Sequence, residues 1–318
     1  MPHVLVAGKL HSSGLALLEA AEGVTYHHVE EISEQSYVPH LATADAVILR
    51  TQPMTAATVA LASRLQIVSR HGVGYDAVDL AALNARGIPL CIVGDVNSIS
   101  VAEHAMMLIL ACAKQLIRAD GAVRIGPWVW RNRLEAGEIA GKRLLIVGYG
   151  RIGRHLARMA TGFGMQIRAV DPYLAATGWP AGPVASVSLH EGLVWADVVS
   201  LHVPKSGGAL IGPDDLALLR HGAILVNTAR GGVVDEVALA AALRSGQVSA
   251  AGLDVLEDEP PEPNHPLLGL DQVILTPHTA GLSRQAAERM AISSAQNVLD
   301  FFAGRLDPDL IVNRDHLT

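Results

Sequence analysis

The chain has 318 residues, 50% of them apolar, with a net charge of −7 and an isoelectric point near 6.0. That length suits two compact domains, each with its own core. The acidic balance supplies no general attraction for nucleic acid or anionic lipid, so no nucleic-acid or membrane partner is expected. Only Cys91 and Cys112 are present, which excludes a disulfide framework and a Cys-based zinc site and fits a reducing cytoplasm. The fourteen histidines show no His-Glu-x-x-His spacing, and no metal site is expected.

The opening segment, Met1 to Leu10, has no basic stretch followed by a longer apolar core, so no secretory signal is read. Short apolar strands follow at Val4–Ala7, Ala46–Leu49, Leu65–Ser69 and Leu90–Val93. Helical patterns near Gly14–Ala21, Thr55–Ala62 and Val78–Ala85 lie between them. From Ser100 to Ala119 apolar residues recur with helical spacing, predicting one long helix that leads into a second series. Its apolar run Ala105–Ala113 is too short to span a bilayer. The second series has strands at Arg143–Val147, Ile167–Val170, Val198–Leu201, Ile224–Val226, Ala250–Leu253 and Val273–Leu275. A final helical pattern runs from Ser283 to Ala303 and stops at Gly304. Strand–helix alternation predicts an α/β chain with two doubly wound parallel sheets. The expected domains are residues 1–98 with 286–318, and an inserted domain at 99–285, with a cleft at the two hinges.

Gly148-Tyr149-Gly150-Arg151-Ile152-Gly153 follows one of these strands and opens a helical pattern, the context in which Gly-x-Gly-x-x-Gly binds a dinucleotide. The first glycine permits the tight turn, the second admits the pyrophosphate, and the third lets helix and strand pack closely. Asp171 ends the next strand, eighteen residues past Gly153. A carboxylate there accepts the ribose hydroxyls of NAD and repels the 2′-phosphate of NADP, so NAD is the expected cofactor. The competing reading is a glycine-rich turn with a surface Asp that caps a loop.

Functional groups of open parallel sheets gather beyond the carboxyl ends of strands. Three polar clusters fall there: Asn227-Thr-Ala-Arg-Gly-Gly232, Asp254-Val-Leu-Glu-Asp-Glu-Pro260 and Thr276-Pro-His-Thr-Ala-Gly281. With the glycine turn and the earlier Gly72-Val-Gly-Tyr-Asp76, they make the chain resemble the D-isomer-specific 2-hydroxyacid dehydrogenases along nearly its whole length. The resemblance implies a Rossmann-type nucleotide domain inserted into a flavodoxin-like substrate domain. It implies catalytic roles for Arg230, Glu259 and His278, and a place for Asp254 near the nicotinamide carboxamide. The cofactor contacts expected on this reading are Gly148, Gly150, Arg151, Ile152, Gly153, Asp171, Val203, Pro204, Thr228, Ala229, Arg230, Asp254, His278 and Gly281.

The residue types suit the chemistry. Reducing a 2-keto acid develops negative charge on its oxygen, and His278 can donate the proton near neutral pH. A hydrogen-bonded Glu259 would favour the imidazolium, and Arg230 can hold the substrate carboxylate. Glu259 also sits in an acidic run that could be a solvated turn. His71, His104 and His202 are expected in core or strand-end roles. On the substrate side, the resemblance assigns the backbone of Val73 and Gly74 to the substrate carboxylate. Arg50 and Arg70, each ending a strand, stand where D-3-phosphoglycerate dehydrogenases have arginines that meet the phosphate; surface ion pairing is the alternative. The string Leu49-Arg-Thr-Gln-Pro-Met-Thr55 resembles that subgroup too, although glyoxylate and hydroxypyruvate reductases share most of these features. A chain of this length implies no regulatory serine-binding domain, hence no serine feedback. Trp128, Trp130, Arg131 and Arg133 fall where the family often makes dimer contacts, so a cytoplasmic homodimer is expected. A binding protein of another class, an NAD(H)-sensing relative of transcriptional corepressors, shares these motifs.

Overall fold

The computed structural model describes residues 1–205 and 207–317. It divides into two compact units, Met1–Asn97 with Leu282–Thr318, and Ser98–Gly281.

The first unit holds a five-stranded parallel sheet in the order β2-β1-β3-β4-β5, formed by β1 (His3–Ala7), β2 (Thr25–Val29), β3 (Ala46–Leu49), β4 (Ile67–Arg70) and β5 (Leu90–Cys91). The inner strands are continuous apolar runs because both faces are covered. Leu5, Val47, Leu49 and Val68 enter one core, and Val4, Val6, Ile48 and Ile67 the opposite one. Sequence patterning passes over β2, whose Thr-Tyr-His-His-Val lies at the sheet edge and is nowhere fully buried. An edge strand needs only one apolar flank and carries little periodic signal. The helix Arg284–Phe302 starts at its Ser283 cap and runs to Ala303, as its pattern predicts. It packs on the helix Ser12–Ala20 so closely that a Cβ at Gly14 would lie 2.7 Å from the Ala291 carbonyl oxygen.

The second unit carries a seven-stranded parallel sheet, ordered β12-β11-β10-β9-β6-β7-β8. Its strands are β6 (Arg143–Val147), β7 (Gln166–Val170), β8 (Ala185–Ser186), β9 (Val198–Leu201), β10 (Ala223–Asn227), β11 (Val248–Leu253) and β12 (Val273–Leu275). The strand order reverses between β6 and β9, so the crevice at the carboxyl ends of these two strands is the topological switch point. Leu145, Val147, Leu201, Leu225 and Leu253 fill one face; Leu144, Ile146, Val198 and Val226 fill the other.

The single helix predicted over Ser100–Ala119 is instead two, Ser98–Ala113 and Leu116–Arg124, bent by 60°. Gln115 adopts φ 52°, and the Gly137 N–H takes the Ala113 carbonyl at 2.7 Å, so the ladder cannot continue although the apolar period does. No single helix among the described residues is long and apolar enough to cross a membrane.

Gly14→Val is expected to destabilise the first unit by about 1–3 kcal/mol, because the added side chain meets backbone that cannot swing aside. Urea unfolding would measure it, and an unchanged midpoint would contradict this packing.

Candidate active site

The site of the second unit is built from the loops that leave β6, β9, β10, β11 and β12 at their carboxyl ends. Gly148 follows β6 with φ 94°, and a Cβ there would lie 2.3 Å from the His202 carbonyl oxygen. Only glycine fits this turn. Gly153 is held to glycine by helix–strand packing, with the Gly148 carbonyl 2.3 Å from a Cβ position. Gly150 differs: its φ is −70° and a Cβ would meet nothing within 4 Å. Here the chain leaves open room next to the backbone. Gly150 is also the N-cap of the helix Arg151–Gly162 and gives it no side-chain cap, so the N–H groups of the first turn face that room. A dinucleotide phosphate fits such a cradle.

Asp171 closes the same corner. Its Oδ2 accepts the Tyr149 N–H at 3.0 Å and its Oδ1 accepts the Leu174 N–H at 3.0 Å. The carboxylate is thus both a helix cap and a fixed anion beside the glycine turn, so the two sequence readings of Asp171 are compatible. Tyr149 stacks on Trp179 with ring centroids 5.2 Å apart, and the Trp179 indole donates to the Val184 carbonyl. Beyond β9, Val203 touches the Gly148 turn and Pro204 follows it. His202 lies half-buried between Ser200 and Thr228, and its desolvation pushes the pKa down to about 3, which keeps the ring neutral.

Beyond β10, Asn227 folds the loop onto itself. Its Oδ1 accepts the Ala229 N–H at 3.0 Å and its Nδ2 donates to the Arg230 carbonyl at 2.9 Å. The Arg230 guanidinium donates to the Ala229 carbonyl at 2.7 Å. A Cβ at Gly231 would sit 1.8 Å from the Leu256 carbonyl oxygen, so this glycine lets the Arg230 loop lie directly against the loop after β11.

Asp254 ends β11 and is 1% exposed. Its carboxylate accepts the Thr276 hydroxyl at 2.6 Å and the N–H groups of Thr279 and Ala280 at 2.8 Å each. The Thr276 hydroxyl gives its proton to Asp254 and therefore accepts from His104 Nε2 at 2.9 Å. The Asp254 carbonyl accepts the His278 N–H at 2.8 Å. These bonds hold His278 at φ 53°, a left-handed conformation that a residue with a Cβ rarely adopts unless its surroundings impose it.

The side chain so presented meets Glu259, with His278 Nδ1 2.7 Å from Glu259 Oε2. A carboxylate can only accept, so Nδ1 carries the proton and Nε2 is left for other partners. Glu259 Oε1 accepts the Leu256 N–H at 3.1 Å. The hydrogen bond to Glu259 raises the His278 pKa above 6.5; partial burial works against it, the charges of Glu259 and Asp254 add to it, and Arg230 opposes. For Glu259, burial works upward but is outweighed by the bond and charge of His278, the Leu256 N–H and Arg230, so the carboxyl is held below its ordinary value. The ion pair stands half-open to solvent, with the two side chains 52% and 39% exposed. Arg230, Glu259 and His278 come together, as does Asp254, whose carboxylate oxygens are taken up by the loop after β12. Gly281 closes that loop.

The first unit arranges its own candidates separately. Arg50 and Arg70 follow or end the adjacent strands β3 and β4, and Arg70 Nη1 donates to the Leu49 carbonyl at 3.1 Å. Between them in sequence terms lies no His, but His71, next along the chain, is buried beside both. Burial first, then the charges of Arg50 and Arg70, push its pKa down to about 4. Val73 is 36% exposed on the turn that Gly72 opens with φ 151°.

A family model described as the D-isomer specific 2-hydroxyacid dehydrogenase, NAD binding domain, matches residues 106–280, more than half of the chain. The chain belongs to the D-isomer-specific 2-hydroxyacid dehydrogenase family. Among relatives in this family, a D-3-phosphoglycerate dehydrogenase of Mycobacterium leprae is 39% identical over 314 residues, which are 98% of this chain and 59% of that protein. The chain thus spans less than two thirds of the length of that relative. A glyoxylate reductase of Korarchaeum cryptofilum is 37% identical across 98% of this chain and 96% of its own length. The crystal structure of a Thermus thermophilus protein superposes with a TM-score of 0.88 at 34% identity, covering 96% of this chain and 98% of that one. The glycine turn, Asp171 and the three strand-end clusters, all but Gly281, lie in the matched NAD binding region.

Sequence reasoning names His104, Thr276 and Gly231 but not their parts in the site: His104 and Thr276 support Asp254, and Gly231 permits the contact of two loops. The Gly-Gly pair after Arg230 is the one sequence signal for that contact.

Gly150→Val is expected to fold as the wild type does, since nothing within 4 Å of the Cβ opposes it. Its NADH affinity should drop by more than about tenfold, because the side chain fills the phosphate cradle. Fluorescence titration with NADH would show this, and wild-type affinity would contradict the assignment of the cradle.

Proposed function

We propose that the protein is an NAD-dependent dehydrogenase acting on a D-2-hydroxy acid and the corresponding 2-keto acid. The observation that carries the reading is the Glu259–His278 ion pair beside Arg230 at the carboxyl ends of β10, β11 and β12. The cofactor contacts proposed are Gly148, Gly150, Arg151, Ile152, Gly153, Asp171, Val203, Pro204, Thr228, Ala229, Arg230, Asp254, His278 and Gly281. NADH, when bound, supplies the hydride that reaches C2. His278 gives the proton from Nε2 to the oxygen at C2 while Glu259 stabilises the ring through Nδ1. Arg230 holds the carboxylate and stabilises the developing negative charge. In the oxidative direction the same nitrogen of His278 takes the hydroxyl proton. The fixed Asp171 carboxylate supports NAD over NADP, since a 2′-phosphate beside it would meet like charge.

The substrate we favour is 3-phosphoglycerate with 3-phosphohydroxypyruvate. Support comes from Arg50 and Arg70 at adjacent strand ends and from the similarity to the mycobacterial phosphoglycerate dehydrogenase. Val73 and Gly74 would bind the carboxylate. The similarity to a glyoxylate reductase supports glyoxylate or hydroxypyruvate as the second reading. We also propose a cytoplasmic homodimer. Ile125, Trp128, Val129 and Leu134 expose large apolar surfaces on one stretch of chain, at 89%, 64%, 64% and 87%.

Separate assays of NADH oxidation with 3-phosphohydroxypyruvate, hydroxypyruvate, glyoxylate and pyruvate test the activity and its substrate together. His278→Ala and Arg230→Ala are expected to lose on the order of 10²-fold or more in kcat. Absence of turnover on all four, with NADH still bound, would sink the enzyme reading.

The pH dependence follows from the raised His278 pKa. Reduction needs the protonated ring, so its rate holds at low pH and falls as pH rises through that pKa. Oxidation needs the neutral ring and rises over the same range. Glu259→Gln weakens the hydrogen bond that is the largest cause of the upward shift, by taking away the charge of its acceptor, and should move both limbs to lower pH. Limbs that stay in place would contradict the role given to Glu259.

A further inference from the structure

The loop between β11 and β12, residues 254–272, contains no helix or strand. Glu259 lies in it, and a loop of this length needs fixed points if one carboxylate is to stay within hydrogen-bond reach of an imidazole. Glu259 supplies one itself through the Leu256 N–H. The next N–H along, that of Glu257, is taken from outside the loop: it donates to Glu236 Oε1 at 2.7 Å. The other oxygen of the same carboxylate, Glu236 Oε2, accepts from His265 Nε2 at 2.8 Å. His265 Nδ1 in turn accepts the Leu267 N–H at 3.4 Å, which fixes the Nε2–H tautomer. One carboxylate thus pins the loop on both sides of Glu259.

An acidic residue in the first turn of a helix has an ordinary explanation. Glu236 begins the helix Glu236–Ser245, where negative charge is favoured. That explanation does not account for its position. The helix is already capped by Asp235, whose side chain accepts the Ala238 N–H at 2.9 Å. Interaction with the helix dipole is available to a side chain in solvent, yet Glu236 is only 10% exposed and His265 14%. Of the further ties on this stretch, Arg244 donates to the Pro266 carbonyl at 3.3 Å and Gln272 to the Leu243 carbonyl at 3.1 Å, both on the far side of His265 from Glu259. Lys205 to Glu257 at 3.5 Å joins side chains 41% and 58% exposed and contributes little.

We infer that Glu236 is a positioning residue for the reaction: with His265 it clamps the loop so that Glu259 stays against His278. The inference rests on the reading of Glu259 and His278 as the proton-handling pair. Glu236 meets the loop backbone and His265, and acts on the chemistry only through Glu259.

The test uses the full chain, assayed for NADH oxidation with the best substrate of the panel, together with NADH affinity. Glu236→Ala is expected to lower kcat about tenfold or more while NADH affinity stays within about twofold. The alkaline limb of the reduction should move to lower pH as His278 loses its steady partner. Glu236→Gln, which keeps an oxygen for the Glu257 N–H, should recover most of the rate. Added to Glu259→Gln, Glu236→Ala should cost less than about twofold more, since both act through one contact. His265→Ala should shift the limb in the same direction by a smaller amount, and it decides the matter should Glu236→Ala not fold. A folded Glu236→Ala with unchanged kcat and pH limb would overturn the inference. So would losses that multiply with those of Glu259→Gln, or an unmoved limb in His265→Ala. If Glu259→Gln and His278→Ala themselves leave the rate unchanged, it is the proton-handling pair that fails.

Discussion

The site depends on one buried carboxylate. Asp254 is almost fully removed from solvent, a costly place for a charge unless hydrogen bonds satisfy it. The Thr276 hydroxyl and two consecutive backbone N–H groups do so, and all three belong to the loop after β12. The need to solvate Asp254 therefore dictates the path of the chain that carries His278. Its own backbone extends the link in both directions, with the N–H donating to the Asn227 carbonyl and the carbonyl accepting from His278. Three strand ends are thereby tied at one residue.

Around that knot, charge is balanced rather than simply accumulated. Two carboxylates favour a protonated His278, and the Arg230 guanidinium opposes them. An imidazole held too strongly as a cation would be a poor donor, and one left to burial alone would be neutral, as His202 is. Two rings beyond the strand ends of one sheet are thus shifted in opposite directions, each by its own surroundings. The burial of Cys91 and Cys112, which pushes both thiols up to about 12, removes them as competing nucleophiles.

Most of the fold is legible in the sequence because inner strands of parallel sheets must be apolar on both faces, and those runs stand out from the polar and glycine-bearing segments around them. The polar edge strand β2 is not legible, since one neighbour and one half-exposed face leave no pattern. The break at Gln115 is hidden for another reason: apolar spacing reports burial and continues through the bend, whereas the bend comes from a backbone contact with Gly137 that is distant in sequence. Arg230, Glu259 and His278 are recognisable because each lies in a distinctive local string. Glu236 and His265 are not, nor is the support that His104 and Thr276 give Asp254, because these roles come from partners on other elements. The room at Gly150 and the closeness at Gly231 look alike in sequence, and only the neighbouring atoms separate a glycine kept for an occupant from one kept for packing.

The account turns on His278 being a ring whose affinity for protons is raised by its surroundings. An NMR titration of the free protein, with the His278 signal assigned by its loss in His278→Ala, measures this directly. The account requires a pKa above the ordinary 6.5. A His278 that titrates at or below that value would contradict it.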